Sequence, residues 1–351
     1  MFDQINTLLN KIFSNEESII FSLLIFAFLL VLYIFGGLLT PFIVSLIFAY
    51  LLIGLTKNFI KYGLSEFTSL VISYVIFLFT GLGFLVWLIP LIFQQTQAFF
   101  LEVPIWLNNF RSYVESLVQS NQELISSNQI SSFFTELIGR LSSLSQGVLD
   151  ASISGIQDTV VFSIYLIMIP VLVFFFLFDK ERIIKGFLML LPKKREMLSE
   201  VWIEMDDQLS NYVWGKGIEI LIVGFAAALI FGIMGLNYTA LLSIIVGFSV
   251  LIPYVGAFLA TIPVIVVALL QFGIGFDFYM IVGLYLLLQA LDGNLLVPIL
   301  FSDAVKLHPV VIMLAVFIFG GIFGFLGGIF LNTFGNFYKS CMELMAKFSC
   351  K

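Results

Sequence analysis

Two stretches in the carboxy-terminal third decide how this chain folds: LIPYVGAFLATIPVIVVALLQ over residues 251–271, and QALDGNLLVPILFSDAVKLHPVVIMLAVFIFGGIFGFLGGIFL over residues 289–331. Both are long, apolar and punctuated by proline and glycine, and the second carries a lone acid, Asp292. An ionisable side chain at bilayer depth costs about 3 kcal/mol or more, so it is rarely there by accident. A small polar site inside a helical bundle is the expectation, unless the span is bounded so that the carboxylate is wet and merely structural.

The rest of the composition agrees with a membrane protein. Hydrophobic residues make up 61% of the chain and charged residues 11%, against roughly 45–50% and about 25% in soluble domains. A single soluble core could not bury that much apolar surface. The formal charge of -6 argues against a nucleic-acid partner. Cys341 and Cys350 form no disulfide framework or metal-ligand set and are read as reduced and cytosolic. No zinc, Walker or nucleophile motif is present, so the chain is read as a non-enzyme without cofactor or metal, whose partners are the lipid bilayer and a small solute or cation.

Runs long enough to cross a hydrocarbon core of about 30 Å fall near 18–35, 37–55, 68–94, 157–178, 217–235, 239–271, 278–301 and 309–338. The fold class expected is therefore all-α and polytopic, with about eight spans, some broken or re-entrant. Residues 1–96 hold spans one to three, 97–156 a helical extracytoplasmic insert, and 157–351 spans four to eight with a cytoplasmic loop at 179–215. Gly36, Gly37 and Pro41 suggest two helices joined by a tight turn near the start, and the polar opening segment argues against a cleaved signal peptide. Sorting the 16 lysines and arginines among these loops leaves only Arg111, Arg140 and Lys306 on one side. That bias places both termini in the cytoplasm.

Several residues are candidates for function. Gln289 and Asn294 could add neutral polar groups beside Asp292, and Gly293 would let the backbone leave the helix there. Pro298 ends or kinks the same span. A helix over 243–271 would be about 44 Å long, so it either tilts strongly or breaks around Pro253, Tyr254, Gly256 and Pro263. Gly320, Gly324 and Gly328 share one helix face, which suits close packing or a discontinuous transport element. His308 is an interfacial residue or a pH-sensitive one. Glu219 is expected at the cytoplasmic interface, as a weaker coupling candidate.

The two stretches quoted above, with FFLFDKERI, LLPKKRE, MDDQLSNYVWGKG and the opening PFIVSLIFAYLL, resemble the autoinducer-2 exporter family of bacterial inner-membrane proteins. Only the 97–156 insert lies outside this resemblance. It implies a transporter of about eight spans and a homo-oligomer, with some members exporting autoinducer-2 and others proposed as sodium-proton antiporters. Asp292 stands where family members often carry glutamate before a glycine-asparagine pair, so ion or solute preference does not carry over. A non-transporting membrane scaffold is the rival of a different class.

Overall fold

The computed structural model describes residues 16–120, 127–154, 156–189, 196–253 and 255–301. Among these, every regular element is a helix. In chain order they are α1 (Glu16–Lys61), α2 (Glu66–Gly83), α3 (Ile89–Ser120), α4 (Ser127–Ser154), α5 (Ile156–Phe178), α6 (Lys180–Met189), α7 (Glu196–Ile233), α8 (Thr239–Ser249), α9 (Val255–Phe272), α10 (Phe276–Leu291) and α11 (Val297–Leu300). Short π-helical turns join α2 to α3 at Phe84–Leu88 and α10 to α11 at Asp292–Leu296.

Among the described residues, six helical stretches are long and apolar enough to cross a membrane, at Ile34–Lys61, Glu66–Asn109, Val161–Phe178, Trp202–Ile233, Val255–Phe272 and Phe276–Leu300. The protein is thus a multi-pass membrane protein of all-α class. The opening segment expected to turn at Gly36 and Gly37 is instead one continuous helix of 46 residues with Pro41 inside it. In lipid a turn would strand backbone donors and acceptors, whereas a helix satisfies them within itself, and the price of glycine or proline there is small by comparison.

Packing sets the directions of the helices. Tyr165 on α5 donates to Gly37 O, and Ser45 on α1 donates to Ile169 O. The two helices therefore run parallel, and Ala49, Leu52, Val173 and Leu177 form a small buried cluster between them. Their carboxy-terminal ends, carrying Lys57, Lys61 and then Lys180, lie on one side of the bundle, here called the basic side. Helix α2 returns antiparallel to α1 across the Thr56–Ser73 hydrogen bond of 3.0 Å. Beyond the π turn, α3 pairs with α4, which continues the amphipathic stretches of the insert as a helical hairpin.

The larger core lies among α7, α8, α9 and α10, around Val223, Phe231, Val246, Val264, Ile281 and Tyr285. Residues 196–215, part of the segment expected as a helical loop at the cytoplasmic interface, form the first turns of α7 and run on into its apolar part without a break. The long run over 239–271 does break. Helix α8 has 11 residues and α9 has 18, so they measure about 16 and 27 Å, and the first cannot cross a bilayer. The Gln271 amide at the end of α9 accepts from Asn237 N at 2.7 Å and donates to Gly235 O at 2.8 Å. Those partners lie in the turn before α8, so both feet of the α8–α9 hairpin sit on the side opposite the basic one. The hairpin is re-entrant, with its tip at residues 250–253 within the bundle. Helix α10 then runs antiparallel to α7, from the contact of Tyr285 with Phe231 to that of Phe301 with Tyr212.

Candidate functional site

At the tip of the hairpin, glycine is required. A Cβ on Gly256 would stand 1.8 Å from Ser249 O, so only glycine lets the chain reverse there. A second close approach holds α8 against α7, where a Cβ on Gly247 would lie 3.0 Å from Gly224 Cα and 3.1 Å from Ile220 O. At the reversal Phe248 O and Ser249 O accept from Leu251 N and Ile252 N, and the carbonyls that follow need other donors. One of them, Val250 O, accepts a hydrogen bond of 2.9 Å from the Lys216 ammonium on α7. A cation at a helix carboxy-terminus also answers the negative end of the helix dipole.

Lys216 is buried at 8% exposure, and Glu219 one turn further along α7 is buried at 1%. Their charges meet at 2.7 Å between Nζ and Oε2. The same ammonium stands 5.1 Å from the centre of the Phe301 ring, within cation–π range. Asp292 lies in the field of both: it interacts electrostatically with Lys216 and with Glu219. Its Oδ1 is buried and has no hydrogen-bond partner among the described residues. One carboxylate, one ammonium and a backbone carbonyl thus meet at the hairpin tip, where buried charges persist only if paired, and Asp292 lies within electrostatic reach in the π turn after α10.

The backbone at Asp292 departs from the α-helix, as Gly293 suggested. Asp292 O accepts from Val297 N, closing a π turn over Asp292–Leu296, a distortion common at functional sites. Along α10, a polar file leads to it. Thr261 on α9 spends its proton on Ala257 O, so Tyr285 donates its hydroxyl to Thr261 at 3.0 Å and accepts from Gln289 Nε2 at 2.9 Å. Residues 285, 289 and 292 fall on one helix face, so Gln289 belongs to this file.

The other expected residues are placed differently. Asn294 is exposed and donates to Ala290 O on its own helix, so among the described residues it does not face Asp292. Gly293 and Pro298 are exposed, Pro253 lies at the tip, and Pro263 is accommodated inside α9. Tyr254, His308, Gly320, Gly324, Gly328 and both cysteines lie outside the described residues. Glu219, expected at the interface, is instead in the core of the site. Lys216 stood among the topology-setting charges; the structure buries it in the bundle. Its signal was the three-residue Lys–Glu spacing in WGKGIEI followed by an uninterrupted apolar run.

At the opposite end, the feet of the hairpin rest on α3. Gln95 Oε1 accepts from Leu241 N at 2.8 Å and so caps α8, while Phe99 and Trp106 pack on Tyr238. Burial, and then the hydrogen bond and negative charge of Glu102, hold the Tyr238 hydroxyl well above the usual tyrosine range. It stays protonated through neutral pH. An open cavity of about 360 Å³ lies here, lined by Gln94, Gln95, Ala98, Glu102, Asn237 and Tyr238.

With the helices and their buried charges in view, the family follows. The model of the AI-2E family transporter matches residues 20–333. The chain belongs to that family. It is 38% identical over 333 residues to "Putative permease PerM" of Escherichia coli K12, covering 94% of each chain. It is 27% identical over 289 residues to "Putative transport protein YrrI" of Bacillus subtilis, covering 82% of this chain and 80% of the relative. A "Putative transport protein" of Thermotoga maritima is 22% identical over 335 residues, 94% of each chain. The AI-2E family chain described here is therefore a membrane transport protein by family, and its buried charges sit where α7, the hairpin tip and α10 meet.

Proposed function

We propose that this protein is a secondary transporter that moves a small polar solute across the bacterial inner membrane, with the Glu219–Asp292 carboxylates at the hairpin tip as its polar site. The observation that carries the reading is the buried, unpartnered Oδ1 of Asp292 beside a buried Lys216–Glu219 pair. A scaffold has no use for such groups, which burden stability unless something binds them. The file through Gln289, Tyr285 and Thr261 supplies hydrogen-bonding groups along α10. The cavity at the hairpin feet offers a vestibule of amides and one carboxylate on the other side.

The concentration of Lys57, Lys61, Lys180, Arg182 and Lys185 on one side supports that side as cytoplasmic. In this orientation the hairpin enters from outside, and α3 and α4 project outward. Export of an autoinducer-2-like solute, coupled to a proton or sodium gradient, is the form the family name suggests; sodium-proton exchange at the same carboxylates is the second reading, favoured by their shared ammonium. A homo-oligomer belongs to the same reading.

Purified protein in proteoliposomes tests it. Efflux of a small polyhydroxylated solute, or sodium flux, is measured with and without an imposed proton or sodium gradient. Gradient-dependent flux above that of protein-free liposomes is expected. Flux equal to the bare-liposome leak for both solute and sodium would favour the scaffold.

A further inference from the structure

Helix α7 runs inward from the basic side, where its Asp206 meets Lys180, to Tyr212 and then to Lys216 and Glu219. Two of its faces are gripped at the charged pair. Residues 214 and 217 face α1: a Cβ on Gly54 would stand 2.6 Å from the Trp214 ring, and Leu51 fills the notch left by Gly217. Residues 212, 215, 216 and 219 share the neighbouring face, and there the Phe301 ring lies on the bare backbone of Gly215, with Cε1 2.7 Å and Cζ 3.0 Å from where a Cβ would be. The same ring stands 5.8 Å from that of Tyr212 and 5.1 Å from the Lys216 ammonium. Tyr212 and Phe301 thus form an aromatic layer on the basic side of the Lys216–Glu219 pair. The two grips are built differently. Helices α1 and α7 have 46 and 38 residues, whereas Phe301 ends α11, a helix of four residues that follows the π turn at Asp292–Leu296 and whose Pro298 and Ile299 are exposed. A short segment hung on a distorted turn moves more easily than a helix that crosses the bundle.

We propose that Phe301 is a positioning residue that covers the buried Lys216–Glu219 pair toward the basic side: seated on Gly215 it closes the transport site to that side, and lifted from its seat it opens the site. The chemistry suits a removable cover. The ring attracts the ammonium that it shields, which helps to keep a charge inside the bundle. An apolar ring also carries no hydrogen bond that must break when it swings away. This reading rests on the hairpin tip as the transport site, yet it concerns access and is measured with no solute present.

Labelling of a cysteine at the hairpin tip tests it. In the full-length protein Cys341 and Cys350 are replaced by serine, and Ser249→Cys places one thiol at the half-buried end of α8. A membrane-impermeant methanethiosulfonate is applied to inside-out and to right-side-out vesicles, and Tyr62→Cys, exposed just beyond Lys61, identifies the basic-side face. Phe301→Ala is expected to speed labelling from the basic side by about tenfold, the loss of one cation–π contact and one aromatic pair, with labelling from the other side unchanged. Gly215→Ala, which keeps Phe301 but fills its seat, acts in the same direction, and Phe301→Tyr, which keeps the ring, stays within about threefold of the parent. The double variant Gly215→Ala with Phe301→Ala behaves like Phe301→Ala alone, because both act through one ring. Loosened packing would speed labelling from both sides alike; that result, or unchanged labelling in Phe301→Ala, would overturn the cover. If Phe301→Ala does not fold, Gly215→Ala decides alone, since a ring can swing aside from a methyl group at little cost. One-sided labelling without solute flux would remove the transport reading and leave the cover, whereas flux with two-sided labelling would remove only the cover.

Discussion

The α1–α2–α5 region and the α7–α10 region hide their polar groups in different ways. Between α1, α2 and α5 the buried polar residues, among those described, are Ser45, Thr56, Ser69 and Ser73. Each has a hydroxyl that donates to a backbone carbonyl or shares a proton with a neighbouring hydroxyl, as in Ser45 to Pro41 O and Thr56 to Leu52 O. These groups carry no charge and let helices approach closely. Around α7 to α10 the buried polar residues include Lys216 and Glu219, set against a helix that stops in mid-bundle. The first arrangement is what a fixed wall of a bundle needs. The second keeps charges inside the bundle, as the proposed transport site requires.

Breaking the second region is expected to have the largest effects. Gly256→Leu puts a side chain where a Cβ already stands 1.8 Å from Ser249 O, so the hairpin cannot close. Destabilisation beyond about 4 kcal/mol is expected, seen as loss of the monodisperse peak and of a cooperative thermal transition in detergent. A normal melt would mean that the tip is built differently. Glu219→Gln leaves the Lys216 ammonium without its closest anion, at a cost of about 3 kcal/mol in the same melt. The half-exposed pair Lys180–Asp206, at 3.2 Å, in which Asp206 keeps its Tyr50 partner, should lose no more than about 1 kcal/mol on Lys180→Met. Equal losses would erase the contrast between buried and interfacial charge.

A sharper comparison comes from the small residues. Gly247→Ala must push Gly224 and the Ile220 carbonyl away, and about 1–2 kcal/mol of stability should be lost. In the wall, Ser73→Ala removes the 3.0 Å bond from Thr56 for about 0.6 kcal/mol. Thermal unfolding of the two variants side by side measures the difference. A Ser73→Ala loss as large as that of Gly247→Ala would show the wall to be as tightly specified as the hairpin.

How much of this was legible in the sequence varies with the physics of each feature. Asp292 stood out because one acid in an apolar run has no cheap explanation. Length showed that a helix over 243–271 outruns the bilayer and must either tilt or break; the structure has the break. What length alone could not give was the direction of the chain after the break. Re-entry is set by hydrogen bonds between distant residues, Gln271 with Gly235 and Asn237, which leave no local pattern. Helix α1 departs from its sequence pattern for the opposite reason: Gly36, Gly37 and Pro41 are strong punctuation in water, yet an apolar surround rewards an unbroken helix. Lys216 was hidden by its neighbourhood. Next to a basic loop it looked like one more charge setting orientation, and only the fold reveals that Val250 O reaches it.

The most direct test of the account compares one variant from each region in the same proteoliposomes. Initial gradient-driven flux is measured for the parent, for Asp292→Asn and for Ser73→Ala, each checked for folding by its thermal transition. Asp292→Asn is expected to fall to the leak of protein-free liposomes while Ser73→Ala stays within about twofold of the parent, in line with the small weight of a neutral interhelical bond. Parent-like flux in a folded Asp292→Asn protein would contradict it, and would return the carboxylate at the hairpin tip to a structural role.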